Sequence, residues 1–296
     1  MSTDPTSATA SGITIQGTKV HLHTWNGGAK EAQGLVLIFH GFAAHGMYPT
    51  VKYAAELLSQ SNYVVVAPDL PGHGQSDGLR GYIPSAQGLI DIGVEIANHV
   101  QKEHLEKTKS KKLFFVGSSM GGTISLAVAQ KIVTTSDAAV TGVVLLAPML
   151  MLSVSTPERY LLSCLAVLPG VGTLAVIPSN STDSATSYRD PEKRKECDDD
   201  AFSISGKMRV GSASSCVQMA AHVQAQFTNI QIPFLVLVGD EDVVVKNEGA
   251  VQLMEQAPAK DKTMKRYPAL HGLLCEPKPL VDQIQGDILQ WMKEHS

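Results

Sequence analysis

The sequence predicts an α/β fold: a mostly parallel central sheet with helices on both faces and a helical cap inserted into it. Three observations carry this. Five short apolar runs, at 35–39, 63–67, 113–116, 143–146 and 234–238, are each followed within two residues by Gly or Pro. Such runs read as strands buried on both faces, which is the habit of parallel sheets. Helical patterns fall between them, at 51–58, 86–100, 120–133, 248–255 and 281–293. Strands alternating with helices imply right-handed crossovers and a covered sheet. The alternation then fails between 149 and about 229, where the chain reads as an insertion laid over the sheet.

Taken in order, residues 1–12 (MSTDPTSATASG) are polar and contain no apolar stretch. They read as a disordered tail and not as a secretory signal. Residues 13–25 alternate in two short stretches, as an antiparallel hairpin at the sheet edge does. The first core segment spans 13–148 and the second 230–296. The second ends in a last strand at 262–267 and a helix in which Val281, Ile284, Ile288 and Trp291 fall at helical spacing. No internal repeat is present.

The insertion, 149–229, holds an 18-residue stretch without a charge, 160–177 (YLLSCLAVLPGVGTLAVI). That length is the lower edge of a membrane span. Pro169, Gly170 and Gly172 break it in the middle. Its first half has its own start, with Ser155 and Glu158 in capping-box spacing and Pro157 between them. The stretch therefore reads as two short apolar segments with a bend. The mixed charge run 189–200 (RDPEKRKECDDD) reads as a solvated face.

With 296 residues, 44% of them hydrophobic, the chain can build a core without disulfides or metal. A net charge of −4 leaves no electrostatic footprint for nucleic acid. Cys164, Cys197, Cys216 and Cys275 form no CxxC pair and read as separate, reduced thiols of a cytoplasmic protein. Oligomeric state is not fixed by the sequence.

The chemistry sits at Gly117-x-Ser119-x-Gly121, after the strand LFFV and before a helix. This is the strand–turn–helix setting of a nucleophile elbow, which lifts a serine hydroxyl clear of the sheet at a helix N-terminus. A serine needs a base held by a third group. On such a sheet the partners follow in the order Ser, acid, His, each after a later strand. Asp240, Glu241 and Asp242 follow FLVLV, and His271 follows the last strand. The residues alone leave the choice among the three acids open. A backbone N–H of the His40-Gly41-Phe42 loop after LVLIF can join that of Met120 as an oxyanion hole. His40 is expected to brace that loop by hydrogen bonding.

HGFAAHG, PDLPGHGQSDGLRGY, GSSMGG, GDED and LHG, in this order and spacing, resemble the α/β-hydrolase fold and, within it, the monoacylglycerol lipases. Asp190 to Arg194 and Gly78 to Tyr82 resemble most the plant-type branch, which includes caffeoylshikimate esterases and lysophospholipases. The resemblance covers about residues 12–294. It implies Ser119 as nucleophile, His271 as base and, from a G-x-x-D run, Asp242 as acid. It implies Phe42 and Met120 as oxyanion donors, with the Phe42 ring narrowing the pocket. It further implies an apolar cap that lines an acyl tunnel and touches membranes reversibly. Tyr160, Leu161, Leu165 and Leu174 are then the lid residues expected to meet substrate.

The expected activity is hydrolysis of monoacylglycerols, in the cytoplasm or at the surface of membranes or lipid droplets, without metal or organic cofactor. Alternatives are a lysophospholipid, a caffeoyl ester, or acyl transfer to an alcohol. A non-catalytic binding protein has no need of all three triad residues, and dehalogenases and epoxide hydrolases place Asp at the elbow. Gly72 to Gly78 fails the dinucleotide fingerprint by one position, at Asp77, and no phosphate loop is present. His21, His23, His40 and His45 lack the partners of a zinc site. Cys275, four residues past His271, reads as a small buried hydrophobe or a neighbour of the pocket.

Overall fold

A computed structural model of the chain describes residues 7–29, 31–135 and 139–296. The chain opens with β1 (Ala8–Ile15) and β2 (Thr18–Trp25), paired antiparallel through a turn in which Gln16 and Gly17 both have positive φ. That is the handedness a two-residue hairpin needs. The strand thus begins inside the segment expected to be tail: Ala8 to Gly12 pair with β2, and of that tail residues 1–6 lie outside the described residues. β3 (Leu35–Phe39), α1 (Pro49–Gln60), β4 (Val64–Asp69), α2 (Ala86–His104), β5 (Leu113–Ser118), α3 (Met120–Thr135) and β6 (Gly142–Leu146) follow.

The insertion contributes α4 (Thr156–Ala166), β7 (Ala175–Ile177), α5 (Ser184–Ser187), α6 (Pro191–Asp198), β8 (Met208–Arg209) and α7 (Val210–Gln224). β9 (Phe234–Gly239), α8 (Glu248–Gln256), β10 (Lys262–Tyr267) and α9 (Leu280–Glu294) complete the core. The main sheet has eight strands in the order β1-β2-β4-β3-β5-β6-β9-β10, parallel from β4 to β10.

Strand alternation assigns the two faces. Leu35, Leu37 and Phe39 join the core under α2, α3, α7 and α8, whereas Val36 and Ile38 join the one under α1 and α9. Every residue of β3, β4, β6 and β9 is buried, as strands covered on both sides must be. The C-terminal ends of these parallel strands share one rim, where open α/β sheets carry their sites.

The cap lies over that rim. α4 starts at the expected capping box, with the Ser155 N–H donating to Glu158 at 2.8 Å. After Gly170 (φ 75°) the chain turns into β7, which pairs with β8. This two-stranded sheet was not expected in a helical insertion. Among the described residues no helix is long and apolar enough to cross a membrane. α7 packs back on α2 and α3 and is buried along most of its length.

Candidate active site

Ser119 sits between β5 and α3 with φ 54°, a left-handed conformation rare for a side-chain-bearing residue. The structure shows why glycines flank it. A Cβ on Gly117 would lie 2.2 Å from the Gly121 carbonyl oxygen, and one on Gly121 would lie 1.9 Å from that of Phe39. Strand and helix could not approach otherwise. The strained turn is pinned by backbone bonds: the Ser119 N–H donates to Leu146 O at 3.0 Å, and its carbonyl accepts from Met149 N at 2.9 Å.

The loop after β9 carries three acids, and each has a different neighbour. Asp240 faces solvent and accepts from Arg266 Nε at 2.8 Å. Glu241 pairs with Arg189 at 3.1 Å. Asp242 alone turns inward, with its side chain fully buried. Its Oδ1 accepts from the N–H groups of Val244 and Val245 at 2.8 and 3.1 Å, and its Oδ2 lies 2.7 Å from His271 Nδ1. A carboxylate held by two backbone donors fixes the tautomer of that imidazole, with the proton on Nδ1 and Nε2 free to accept. Ser119 and His271 line one small chamber together with Gly41, Phe42 and Ala43.

Gly41 packs directly over Ser119; a Cβ there would stand 3.9 Å from Ser119 Oγ. Phe42, the next residue, is buried and rests edge-on against His73, 5.6 Å between centroids. Met120 opens α3, where the first N–H groups have no partner within the helix. The loop holding Phe42 is braced from beneath. His40 Nδ1 donates to Gly41 O at 2.7 Å and Nε2 accepts from Leu70 N at 2.9 Å. Those partners need a neutral ring, and burial, reinforced by His73, lowers His40 to about 3. Asp69 anchors the loop's far end, accepting from Gly46 N at 2.7 Å and Gln75 N at 2.8 Å, with His23 at 3.1 Å. Burial works against its charge, but His23 and these donors overcome it and hold the carboxyl low.

Two spaces meet at Ser119. On one side a cavity of about 340 Å³ is lined mainly by apolar side chains, among them Phe42, Met149, Leu152, Leu162, Ile177, Met208 and Val217. On the other side a chamber of about 40 Å³ is walled by Tyr48, Thr50, Ser181, Ser187 and Tyr188. It carries hydroxyls, and no Asp, Glu, Lys or Arg lines it. Of the four lid residues expected to meet substrate, Tyr160, Leu161 and Leu174 face outward, and Leu165 is half-buried. None of them lines the apolar cavity; Leu162 and Ile177 of the same stretch do.

The charge run expected to be a solvated face is in part a fastening. Arg189 Nε donates to Glu276 at 2.9 Å and its guanidinium also pairs with Glu241. Glu276 is buried and accepts from the N–H of Leu270 at 2.6 Å, next to His271. The Gly272 N–H donates to Ser187 O at 2.8 Å, and the Tyr188 ring leaves no room for a Cβ on Gly272. One turn of cap backbone therefore touches both the acid loop and the histidine loop. No local sequence signal marks this, because the partners are far apart along the chain. The four cysteines are not all separate either. Cys197 in α6 and Cys275 share a thiol hydrogen bond, which lowers the Cys197 pKa and raises that of Cys275. Cys275 does not line the cavity beside Ser119.

A serine held at a strained apex beside an apolar cavity, with an imidazole oriented by a buried carboxylate lining the same small chamber, can carry out acyl transfer. Comparison with known proteins agrees with this chemistry. The caffeoylshikimate esterase of Arabidopsis thaliana is 28% identical over 268 residues, covering 89% of this chain and 79% of that protein. The monoglyceride lipase of Rattus norvegicus is 28% identical over 265 residues, covering 88% of this chain and 82% of that protein. In fold, the chain resembles a soluble variant of monoglyceride lipase from Saccharomyces cerevisiae, solved with a substrate analogue. The TM-score is 0.82 at 20% identity, over 98% of this chain and 96% of that one. The Paleococcus ferrophilus monoacylglycerol lipase gives a TM-score of 0.75 at 23% identity, over 98% of this chain and all of that one. The Hydrolase_4 family, described as serine aminopeptidase S33, matches residues 30–278. On that match and on its eight-stranded sheet, the chain belongs to this family of α/β-hydrolases.

Proposed function

We propose that the protein is a serine hydrolase that cleaves monoacylglycerols to a fatty acid and glycerol. Ser119 Oγ attacks the ester carbonyl while His271 Nε2 takes its proton. Asp242 holds the His271 Nδ1–H and stabilises the imidazolium. The carbonyl oxygen, now negative, accepts from the N–H groups of Phe42 and Met120. Collapse of the tetrahedral intermediate expels glycerol, protonated by His271, and leaves Ser119 acylated. A water deprotonated by His271 then releases the fatty acid.

The observation that carries this reading is the asymmetry of the two spaces at Ser119. The larger, apolar one suits an acyl chain, and the smaller, hydroxyl-lined one suits a small neutral alcohol. The monoglyceride lipases among the relatives support it. A fluorophosphonate probe should label Ser119. Rates on monoacylglycerols, lysophospholipids and phenolic esters should then rank monoacylglycerols first by kcat/KM. A higher value for caffeoyl or lysophospholipid esters would replace the substrate, and an unlabelled Ser119 would remove the mechanism.

We further propose that the cap docks reversibly on lipid. Tyr160 is 71% exposed and Val167 80%, and Leu161, Leu168 and Leu174 of the same apolar stretch are also exposed. Burying each such side chain contributes roughly 1.5–3 kcal/mol, which association costs offset in part. The protein then works from the aqueous side as a peripheral enzyme.

A further inference from the structure

Away from the triad, three cations line one surface pocket, and none has a carboxylate partner among the described residues. Arg80, Lys207 and Arg209 line a cavity of about 280 Å³ that also touches Phe42 and Ala175. Arg80 donates to the carbonyls of Gly74 and Ser203, both at 3.1 Å. Arg209 donates from Nε to the Arg80 carbonyl at 2.7 Å and from Nη1 to that of Thr173. Neutral carbonyls thus fix both guanidiniums in place without cancelling their charge, and each keeps N–H donors to spare. Among the described residues, none of the three cations is in an ion pair. The acids of the neighbouring cap segment are already engaged: Asp198 with Arg194, Asp199 with Lys195, and Asp200 with His45. On a chain of net charge −4 this is a marked local reversal of sign.

Exposed apolar side chains lie next to lining residues along the chain. Leu79, Leu174, Val176 and Phe202 are all exposed, and each is the chain neighbour of a lining residue. We propose that this pocket binds the phosphate of an anionic lipid in the surface on which the enzyme works. The planar guanidiniums match phosphate oxygens, and the exposed apolar side chains of the same cap segments enter the acyl boundary while the cations stay at headgroup depth. A free anion or an acidic peptide would use the cations but leave the four apolar side chains in water. Phe42 forms part of this pocket and of both spaces beside Ser119, so a lipid held here sets the mouth of the active site against the bilayer.

The proposal rests on the docking of the cap described above, and its test reads binding and not hydrolysis. The full chain is sedimented with vesicles of phosphatidylcholine, with and without a third of phosphatidylglycerol, at ~0.1 M salt. The wild type should prefer the anionic vesicles. Lys207→Gln, at an exposed position, should lower that preference roughly fivefold, the worth of one cation near such a surface. Lys207→Gln with Arg209→Gln should lower it further, while Lys260→Gln, an equal change of charge elsewhere, should leave it. Equal binding of the wild type to both vesicles, or equal effects of Lys207→Gln and Lys260→Gln, would overturn the site. Submillimolar binding of inorganic phosphate without lipid, read by calorimetry, would overturn the lipid assignment. A protein inactive on monoacylglycerols that still prefers anionic vesicles would sink the substrate reading and leave this one standing.

Discussion

Asp240 and Asp242 differ by two positions and by everything that surrounds them. Asp240 is a surface partner of Arg266, whereas Asp242 is sealed against His271 with two backbone donors. Asp242→Asn should therefore lower turnover by roughly four orders of magnitude, the cost of a wrong histidine tautomer in an analogous triad. Asp240→Asn should change it little, because an exposed ion pair is worth about 1 kcal/mol or less. Steady-state rates that reverse this ranking would move the acid. Ser119→Ala should remove ester hydrolysis and leave the fold, since the elbow depends on its glycines. Arg189 raises a different question, because its partner Glu276 is a carboxylate with a side chain only 1% exposed. Arg189→Ala strands that charge. Arg189 is itself 38% exposed, so water replaces it in part and the cost falls to roughly 1–3 kcal/mol. The melting temperature should drop by a few degrees and kcat should fall on soluble and lipid esters alike, with Arg189→Lys recovering part of both. A loss confined to lipid substrates would make the contact a hinge of the lid and not a support of His271.

The cap element presents two faces with different expected roles. Leu161→Glu and Leu174→Glu, on the outer face, should weaken hydrolysis of long-chain monoacylglycerol more than that of a short soluble ester. Leu162→Glu, inside the apolar cavity, should impair both. Equal losses from all three would show the outer face to be structural. The core elements were legible in the sequence because a strand buried on both sides must be apolar throughout, and its helices must show a stripe. β3, β10 and the five helices of the core fall where periodicity puts them, within a few residues at each end. β7 and β8 were not legible: three and two residues are too few to show a period of two. The N-terminal boundary was missed because Ala8 to Gly12 lie at the sheet edge, where polar side chains are compatible with pairing. At the site, strand ends marked the positions of Ser119 and His271, but the spacing of the residues alone does not separate three consecutive acids; the G-x-x-D run of the resemblance chose Asp242, and the side-chain directions differ among the three. The Arg189–Glu276 contact spans most of a domain in sequence and leaves no local trace.

For the molecule as a whole, two fully buried histidines contribute strongly to the response to acid. Burial, helped by His73, lowers His40 to about 3, and burial lowers His73 to about 4, both from an ordinary 6.5. The unfolded chain therefore binds more protons than the folded one below pH 6.5, so stability is full above that value and is lost as pH falls toward 4. The slope is roughly 1.4 kcal/mol per pH unit for each group. Asp69, held below its ordinary 3.8, adds its own loss only further down. Urea midpoints measured from pH 7 to about 4 should fall steeply, and a flat profile would contradict the neutral state of these rings. The order of the strands bears on how the protein comes into being. Ser119 follows β5 in the middle of the sheet, while Asp242 and His271 wait for β9 and for β10 at its edge. On the proposed mechanism, a nascent chain released only through β6 contains Ser119 but neither the acid nor the base that would activate it. Reactivity toward esters on that mechanism arrives only with the closing strands. In refolding, recovery of activity should track burial of Trp291 in α9 and should never precede it, whereas Trp25 in β2 is free to report earlier.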